Sequence, residues 1–249
     1  MRNHYEGTEL SMTNDPGAGA YKVPYRWRPM TFKSEGREYF NERAIATQQT
    51  GFVLIAQMRS WLPDAVGGIL WFGVDDANTA VLTPMYASIT EIPECYRRGN
   101  GSMTEFSWTS AFWIHNWVAN MAYNRYEPMI RDIRPVQKEL EDSYVDLVKN
   151  TDAKALELLK SSPAQATAYL TEVCGKVANE ATARWKKLGE YLLVKYMDGN
   201  VKKEKDGKFE ENGYGQIVSP HFPGYSQEYY DQVAKSEEAK HLEVPKKDK

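Results

Sequence analysis

Two kinds of hydrophobic periodicity run through this chain, and they do not overlap. Between residues 50 and 86 the apolar residues come in short unbroken runs, and beyond residue 107 they recur at helical spacing. A chain that places its strands first and its helices afterwards reads as α+β rather than as alternating βαβ units. The runs are Thr50 to Gln57, Gly68 to Val74 and Ala80 to Tyr86. Each is short and rich in β-branched or aromatic residues, as strands are. Trp61-Leu62-Pro63-Asp64 separates the first two, and Asp75-Asp76-Ala77-Asn78 supplies a turn before the third. Such short connections predict antiparallel pairing. Runs without polar alternation predict burial on both faces.

The helical part predicts three helices. Ser107 or Thr109 caps the first, which carries Phe112, Ile114, Trp117, Val118 and Met121, runs to Tyr126 and stops at Pro128. Pro135 opens the second, with Val136, Leu140, Tyr144 and Leu147 on one face. Ser162-Pro163 starts the third, and its stripe is Ala166, Leu170, Val173, Val177, Ala181, Trp185, Leu188 and Leu192. Asp198-Gly199-Asn200 ends it. That stripe lacks a sustained heptad, so a long helix packed on a globular body is expected rather than a coiled coil. Five of the seven tryptophans fall between Trp61 and Trp117, marking a dense core or a hydrophobic interface.

These signals divide the chain. Residues 1–44 read as an irregular arm full of turn formers, 45–92 as strands and 107–199 as helices, all within one unit spanning 1–200. Residues 201–249 read as a polar C-terminal tail, with a hairpin turn at Lys205-Asp206-Gly207-Lys208. Its Tyr214, Phe222, Tyr225, Tyr229 and Tyr230 are expected to lie over the body, and the last ten residues or so to be disordered.

A net charge of −3 gives no attraction for nucleic acid or an anionic membrane, so neither is expected as a partner. The longest apolar runs, Phe52 to Ala56 and Val66 to Val74, fall far short of the roughly 18 residues that cross a bilayer. The opening residues carry no apolar segment, so no signal peptide is expected there. Four histidines have no ligand spacing, and two cysteines cannot make a disulfide scaffold.

Candidate chemistry is sparse. Cys95 with His115 would make a thiolate and base, although neither has a local signature, and a buried Cys and a helical His are the plainer reading. Cys174 falls on the apolar stripe of the third helix. Asp75-Asp76 suits a turn better than a calcium site, which needs more oxygens at alternating spacing. Gly67-Gly68 is too short for a phosphate loop. Arg43, just before the first core run, reads either as a receptor for a substrate carboxylate or as a strand-edge ion pair. From the residues alone, no complete active site assembles.

Several stretches, taken in order, resemble one family. They are His4-Tyr5-Glu6-Gly7-Thr8, Gly17-Ala18-Gly19, the segment from Glu42 to Thr50, and Arg59-Ser60-Trp61-Leu62-Pro63. After these come the segment from Gly67 to Asp76, Pro84-Met85-Tyr86, Thr109-Ser110-Ala111-Phe112-Trp113 and Trp117-Val118-Ala119-Asn120. Together they resemble the dipeptidase A and secernin-related family of N-terminal-nucleophile hydrolases over residues 2 to about 200. The resemblance implies a four-layer αββα sandwich, of which this chain is the C-terminal portion. It also implies hydrolysis of dipeptides by an N-terminal cysteine whose own α-amino group is the general base. No metal or organic cofactor is implied. The nucleophile belongs to the half that is absent here, so the chain alone is expected to be inactive. The implied partners are a dipeptide and that missing N-terminal half; a homo-oligomer is compatible with the reading. Arg43 is the position assigned to organising the cysteine, and Thr47 and Thr50 are assigned to presenting hydroxyls to a substrate backbone. A non-catalytic scaffold built on the same fold, binding another protein through its tryptophan-rich face, is the alternative.

Overall fold

A computed structural model describes residues 1–217 and 221–244. In chain order it contains strands β1 (Thr31–Ser34), β2 (Arg37–Phe40) and β3 (Phe52–Met58), one helical turn α1 (Asp64–Gly67), and strands β4 (Gly68–Val74) and β5 (Thr83–Tyr86). Helices α2 (Ala111–Asn124), α3 (Tyr126–Leu159) and α4 (Pro163–Tyr196) follow, then β6 (Glu204–Lys205), β7 (Lys208–Phe209) and α5 (Gln227–Ala234). The class is α+β, with antiparallel strands preceding long helices.

β3, β4 and β5 form an antiparallel meander in that order, with Leu54 opposite Phe72, Ile55 opposite Trp71 and Leu70 opposite Met85. Opposed residues share a face, so the register assigns each side chain to one side of the sheet. One face carries Ile69, Trp71 and Tyr86, which pack on the helices, and Val53, which packs on Ala46 and Ala77; Ile55 on the same face is exposed. Ile69 and Tyr86 join Val148 and Ala155 of α3 and Leu170, Cys174 and Ala178 of α4 in one core. Cys174 binds the sheet directly: its Sγ accepts from the Tyr86 amide at 3.3 Å and lies 3.5 Å from the Pro84 carbonyl.

The opposite face departs from the expectation of burial on both sides. Phe52 (60% exposed), Leu54 (45%) and Leu70 (40%) lie bare beside Ala56 and Met58. β3 is also an edge strand, paired only with β4 among the described residues. Among the described residues nothing covers Phe52, Leu54 and Leu70, although Val74 and Met85 on the same face are buried in the helical core.

The helices pack α3 and α2 against α4 around Ile114, Val118, Ile133, Trp185, Leu188 and Leu192. α4 follows its sequence signals closely. Ser162 Oγ accepts from the Gln165 amide at 3.3 Å, with Pro163 in the first turn. The first two helices differ from expectation. The break falls at Arg125, whose backbone leaves helical geometry (φ −148°, ψ 56°). Its guanidinium donates to the carbonyls of Tyr196, Gly199 and Asn200, closing the C-terminal end of α4. Pro128 then sits in the first turn of α3, where its missing N–H is harmless, and does not end a helix. Pro135 lies inside α3 rather than at its start. It forfeits one interior hydrogen bond, and packing on α4 holds the helix together regardless.

The segment expected to be an irregular arm contains the β1–β2 hairpin, closed by Glu35 and Gly36 at positive φ. The β6–β7 hairpin turns at Asp206 and Gly207, also at positive φ, as the sequence predicts. Tyr225 packs edge-on against Tyr21 at 5.2 Å and Phe209 stacks on Tyr191 at 5.8 Å, so part of the tail does lie over the body. Residues 245–249, at the end of the segment expected to be disordered, lie outside the described residues.

Candidate active site

Because β3 and β4 are antiparallel, the start of one and the end of the other meet, and the Asp75 amide donates to the Gly51 carbonyl at 2.9 Å. Three segments that are distant in sequence converge at this end: 2–6, 44–51 and 75–80. Ala46 N donates to Asn3 O at 3.2 Å, and Asn78 Nδ2 donates to Arg2 O at 2.9 Å. The motif from His4 to Thr8 and the segment that carries Arg43 thus pack on the Asp75-Asp76 turn.

Asp75 and Asp76 form the turn that the sequence predicts, but both side chains are buried. Asp75 adopts a left-handed backbone (φ 66°), which brings its Oδ1 to Asn116 Nδ2 of α2 at 3.0 Å. Asp76 Oδ2 accepts from Tyr25 Oη (3.0 Å), the Thr79 amide (3.2 Å) and Thr79 Oγ1 (3.0 Å). His4, fully buried, faces the rings of Tyr25 at 5.3 Å and Tyr126 at 6.0 Å, and its Nδ1 lies 3.1 Å from Glu6 Oε1. Among the described residues four buried atoms of this cluster have no partner: His4 Nε2, Asp75 Oδ2, Asp76 Oδ1 and Tyr123 Oη.

Burial governs their acidity. It lifts the Asp75 carboxyl to about 7 against the bond from Asn116, raises Asp76 as well, and lowers His4 although Glu6 opposes the shift. A carboxyl near neutrality with an unpartnered oxygen can give or take a proton at working pH. Sequence reasoning treated the two aspartates as turn formers and missed His4, Tyr25, Asn78 and Tyr123 as their neighbours. The one available signal was that His4 and the Asp75-Asp76 dipeptide both lie in the stretches that carry the family resemblance.

Arg43, Thr47 and Thr50 all lie on the segment leading into β3. Arg43 is exposed, without an ion-pair partner among the described residues. Thr50 Oγ1 donates to the Thr47 carbonyl at 2.7 Å, and the Thr47 hydroxyl donates to the Gln49 side chain. The two hydroxyls therefore shape the turn before β3, while Arg43 and Thr47 share a narrow crevice with Trp27 and Met30.

An open cleft of about 330 Å³ lies at the same end, on the bare side of the sheet. Phe72 and Val74 form its floor, and the segment 95–103 with Phe112 and Trp113 of α2 forms its walls. The two cysteines do not form a catalytic pair with His115. Cys95 is buried, with its thiol pushed up by desolvation. Burial pushes the Cys174 thiol up to about 11. His115 stacks on Trp185 at 5.0 Å and is held neutral, its pKa lowered to about 3 by burial. Among the described residues no hydrogen bond joins it to Cys95.

Two comparisons with known proteins bear on this site. The profile of peptidase family C69 matches residues 1–139. A probable dipeptidase of Latilactobacillus sakei is 30% identical over 185 residues, which cover 73% of this chain and 34% of that relative. The chain spans about a third of the length of the curated relative it matches.

Proposed function

The chain belongs to peptidase family C69, and from that premise we propose that these residues are the scaffold portion of a dipeptidase whose nucleophilic cysteine lies outside them. The reaction is hydrolysis of a dipeptide. The thiol of an N-terminal cysteine attacks the scissile carbonyl and its own α-amino group takes the proton. The amine leaves, and water then releases the acyl group from sulfur. The fold is one sheet and one helical layer of a four-layer αββα sandwich, and the second sheet lies on the face bearing Phe52, Leu54 and Leu70.

That bare face is the observation that carries the reading. A sheet whose β4–β5 strands pack on helices through one face, with Phe52, Leu54 and Leu70 bare on the other, fits half of a sandwich. The state of the two thiols supports it from the chemical side. Both are buried and protonated at neutral pH, so neither is a ready nucleophile. In the assembled enzyme Arg43 orients the cysteine, Thr47 and Thr50 face the substrate backbone, and the cleft beside Val74 holds part of the dipeptide.

The test is to mix or co-express the chain with polypeptide bearing the N-terminal cysteine of the family and to measure dipeptide hydrolysis. Turnover is expected only in the mixture. It should survive Cys95→Ala with Cys174→Ala and vanish when the N-terminal cysteine becomes alanine. Turnover by the chain alone, or its loss in the Cys95→Ala variant, overturns the proposal. A complex that forms without hydrolysing any dipeptide establishes the non-catalytic scaffold instead.

A further inference from the structure

The cleft at the sheet end has an unbalanced charge. Phe72, Val74, Met103, Phe112 and Trp113 give it a mainly apolar lining, with Asn100, Ser102 and Ser110 between them, and no carboxylate among the described residues lines it. Among the described residues the charged side chains lining it are Arg97 and Arg98. Arg97 is already engaged: it pairs with Glu94 at 3.3 Å and donates to the Ile92 carbonyl at 3.3 Å. Arg98 has no ion-pair or hydrogen-bond partner among the described residues, and it lies in a chain whose net charge is −3. A lone guanidinium at the rim of an apolar cleft selects an anion attached to an apolar group.

The cleft is also preformed. Its outer wall turns at Gly99 and Gly101, both at positive φ, and is closed by Trp113 Nε1 donating to the Ser102 carbonyl at 3.1 Å. A Cβ on Gly101 would stand 2.9 Å from the Trp113 ring, so the wall rests directly on α2. Asn100 fixes the next segment, its Oδ1 accepting from Ser107 Oγ (2.6 Å) and Thr109 Oγ1 (3.0 Å). At about 330 Å³ the space falls at the small end of ligand pockets, roughly 300 to 1,000 Å³.

We propose that this cleft is the receptor for the C-terminal residue of the substrate, with Arg98 binding the free α-carboxylate and the Phe72–Phe112–Trp113 surface taking an aromatic or large aliphatic side chain. The inference rests on the dipeptidase reading, because it assigns the cleft to that enzyme's substrate. Arg98 is then a specificity residue: it separates peptides that end at the cleft from longer chains, whose next residue replaces the carboxylate by a neutral amide.

The experiment measures binding and needs no nucleophile. The 249-residue chain is titrated with alanyl-phenylalanine and with its C-terminal carboxamide, following tryptophan fluorescence, which Trp113 reports from inside the cleft. The free acid should bind saturably and about two- to fivefold more tightly than the amide, the range of a solvent-exposed arginine–carboxylate contact. Arg98→Gln should bring the acid down to the affinity of the amide, Arg98→Lys should keep part of the difference, and Arg97→Gln should leave it intact. Equal binding of acid and amide, a difference that persists in Arg98→Gln, or no binding of the acid overturns the proposal. Hydrolysis by the assembled enzyme is a separate readout, so a failure of the cleft assignment is told apart from a failure of the dipeptidase reading.

Discussion

The two faces of the β3–β4–β5 sheet come from the same three strands yet live in different environments. On one, Ile69 and Tyr86 are sealed under α3 and α4, Trp71 reaches both helical cores, and Val53 is buried against Ala46 and Ala77, while Ile55 on the edge strand stays exposed. On the other, Phe52, Leu54 and Ala56 of β3 and Leu70 of β4 lie in contact with solvent, while Val74, Thr83 and Met85 toward β5 are buried. Composition does not separate the two faces, since both are apolar. What differs is the cover, and an apolar face of this extent on a strand edge marks an interaction surface. The stability of the isolated chain should therefore reside on the covered side, and its function on the uncovered one.

The sharpest way to break this comparison is to hollow out the covered side. Trp185 on α4 is fully buried between the helices and stacked on His115. Trp185→Ala should destabilise the chain by about 3–5 kcal/mol, the usual result of removing a buried tryptophan. Urea unfolding followed by circular dichroism measures it. A loss under about 1 kcal/mol would mean that the helical layer does not carry the fold.

The next effect sits where β4 leaves the sheet. Asp75 is buried, and its folded pKa of about 7 stands well above the ordinary value of 3.8. The folded chain thus binds a proton that the unfolded chain has already released, and this group's contribution is full below about pH 4 and fades as pH rises through about 7. Asp75→Asn keeps the acceptor for Asn116 and tolerates the left-handed backbone. Near pH 8 it should be more stable than the native chain by on the order of 2–3 kcal/mol, and the decline between pH 4 and 7 should flatten. His4 acts in the opposite sense, since its lowered pKa removes stability as pH falls below 6.5. Denaturation midpoints at pH 5 and 8 for the two chains decide the matter, and identical slopes would refute the assignment.

What was legible in the sequence follows the same division. The order of strands and helices, the β4 run from Gly68 to Val74 and both ends of α4 are local signals, and the structure reproduces them. The β1–β2 hairpin was hidden, because its strands are only four residues each and expose every side chain. The helix boundary at Arg125 was hidden too, because what ends α2 is a set of carbonyls on α4 some 70 residues away. The acid cluster illustrates the same limit. Asp75 and Asp76 look like a turn because they are one, and nothing local reveals that Tyr25, Tyr123 and His4 close over it. Arg43, Thr47 and Thr50 were chosen for their place before β3, and the two hydroxyls have local partners there.

A smaller test probes the helix contacts that seal the covered side. Gly189 of α4 lies under the ring of Trp117, and an added Cβ would overlap that ring. Gly189→Ala gains helix propensity but must push Trp117 or the helix aside, a repacking that typically costs about 1–3 kcal/mol. A net loss of stability, with a red-shifted tryptophan emission as Trp117 moves, is expected. A gain would show that α2 and α4 have slack at this crossing.

The smallest change in stability is expected where the sequence looks most hydrophobic. Leu54 and Leu70 lie on the bare face, 45% and 40% exposed. Leu54→Ser with Leu70→Ser removes apolar area that the isolated chain never buries in full, so its unfolding free energy should move by no more than about 0.5 kcal/mol per site. The pair of changes should nonetheless lower the binding of a hydrophobic dye and abolish association with the cysteine-bearing polypeptide. Ile69→Ser, one residue away on the opposite face, should do the reverse: it buries a hydroxyl in the core and destabilises the fold. If the bare-face variant proves as destabilised as Ile69→Ser, that face is already covered within this chain, and the contrast between the two sides disappears.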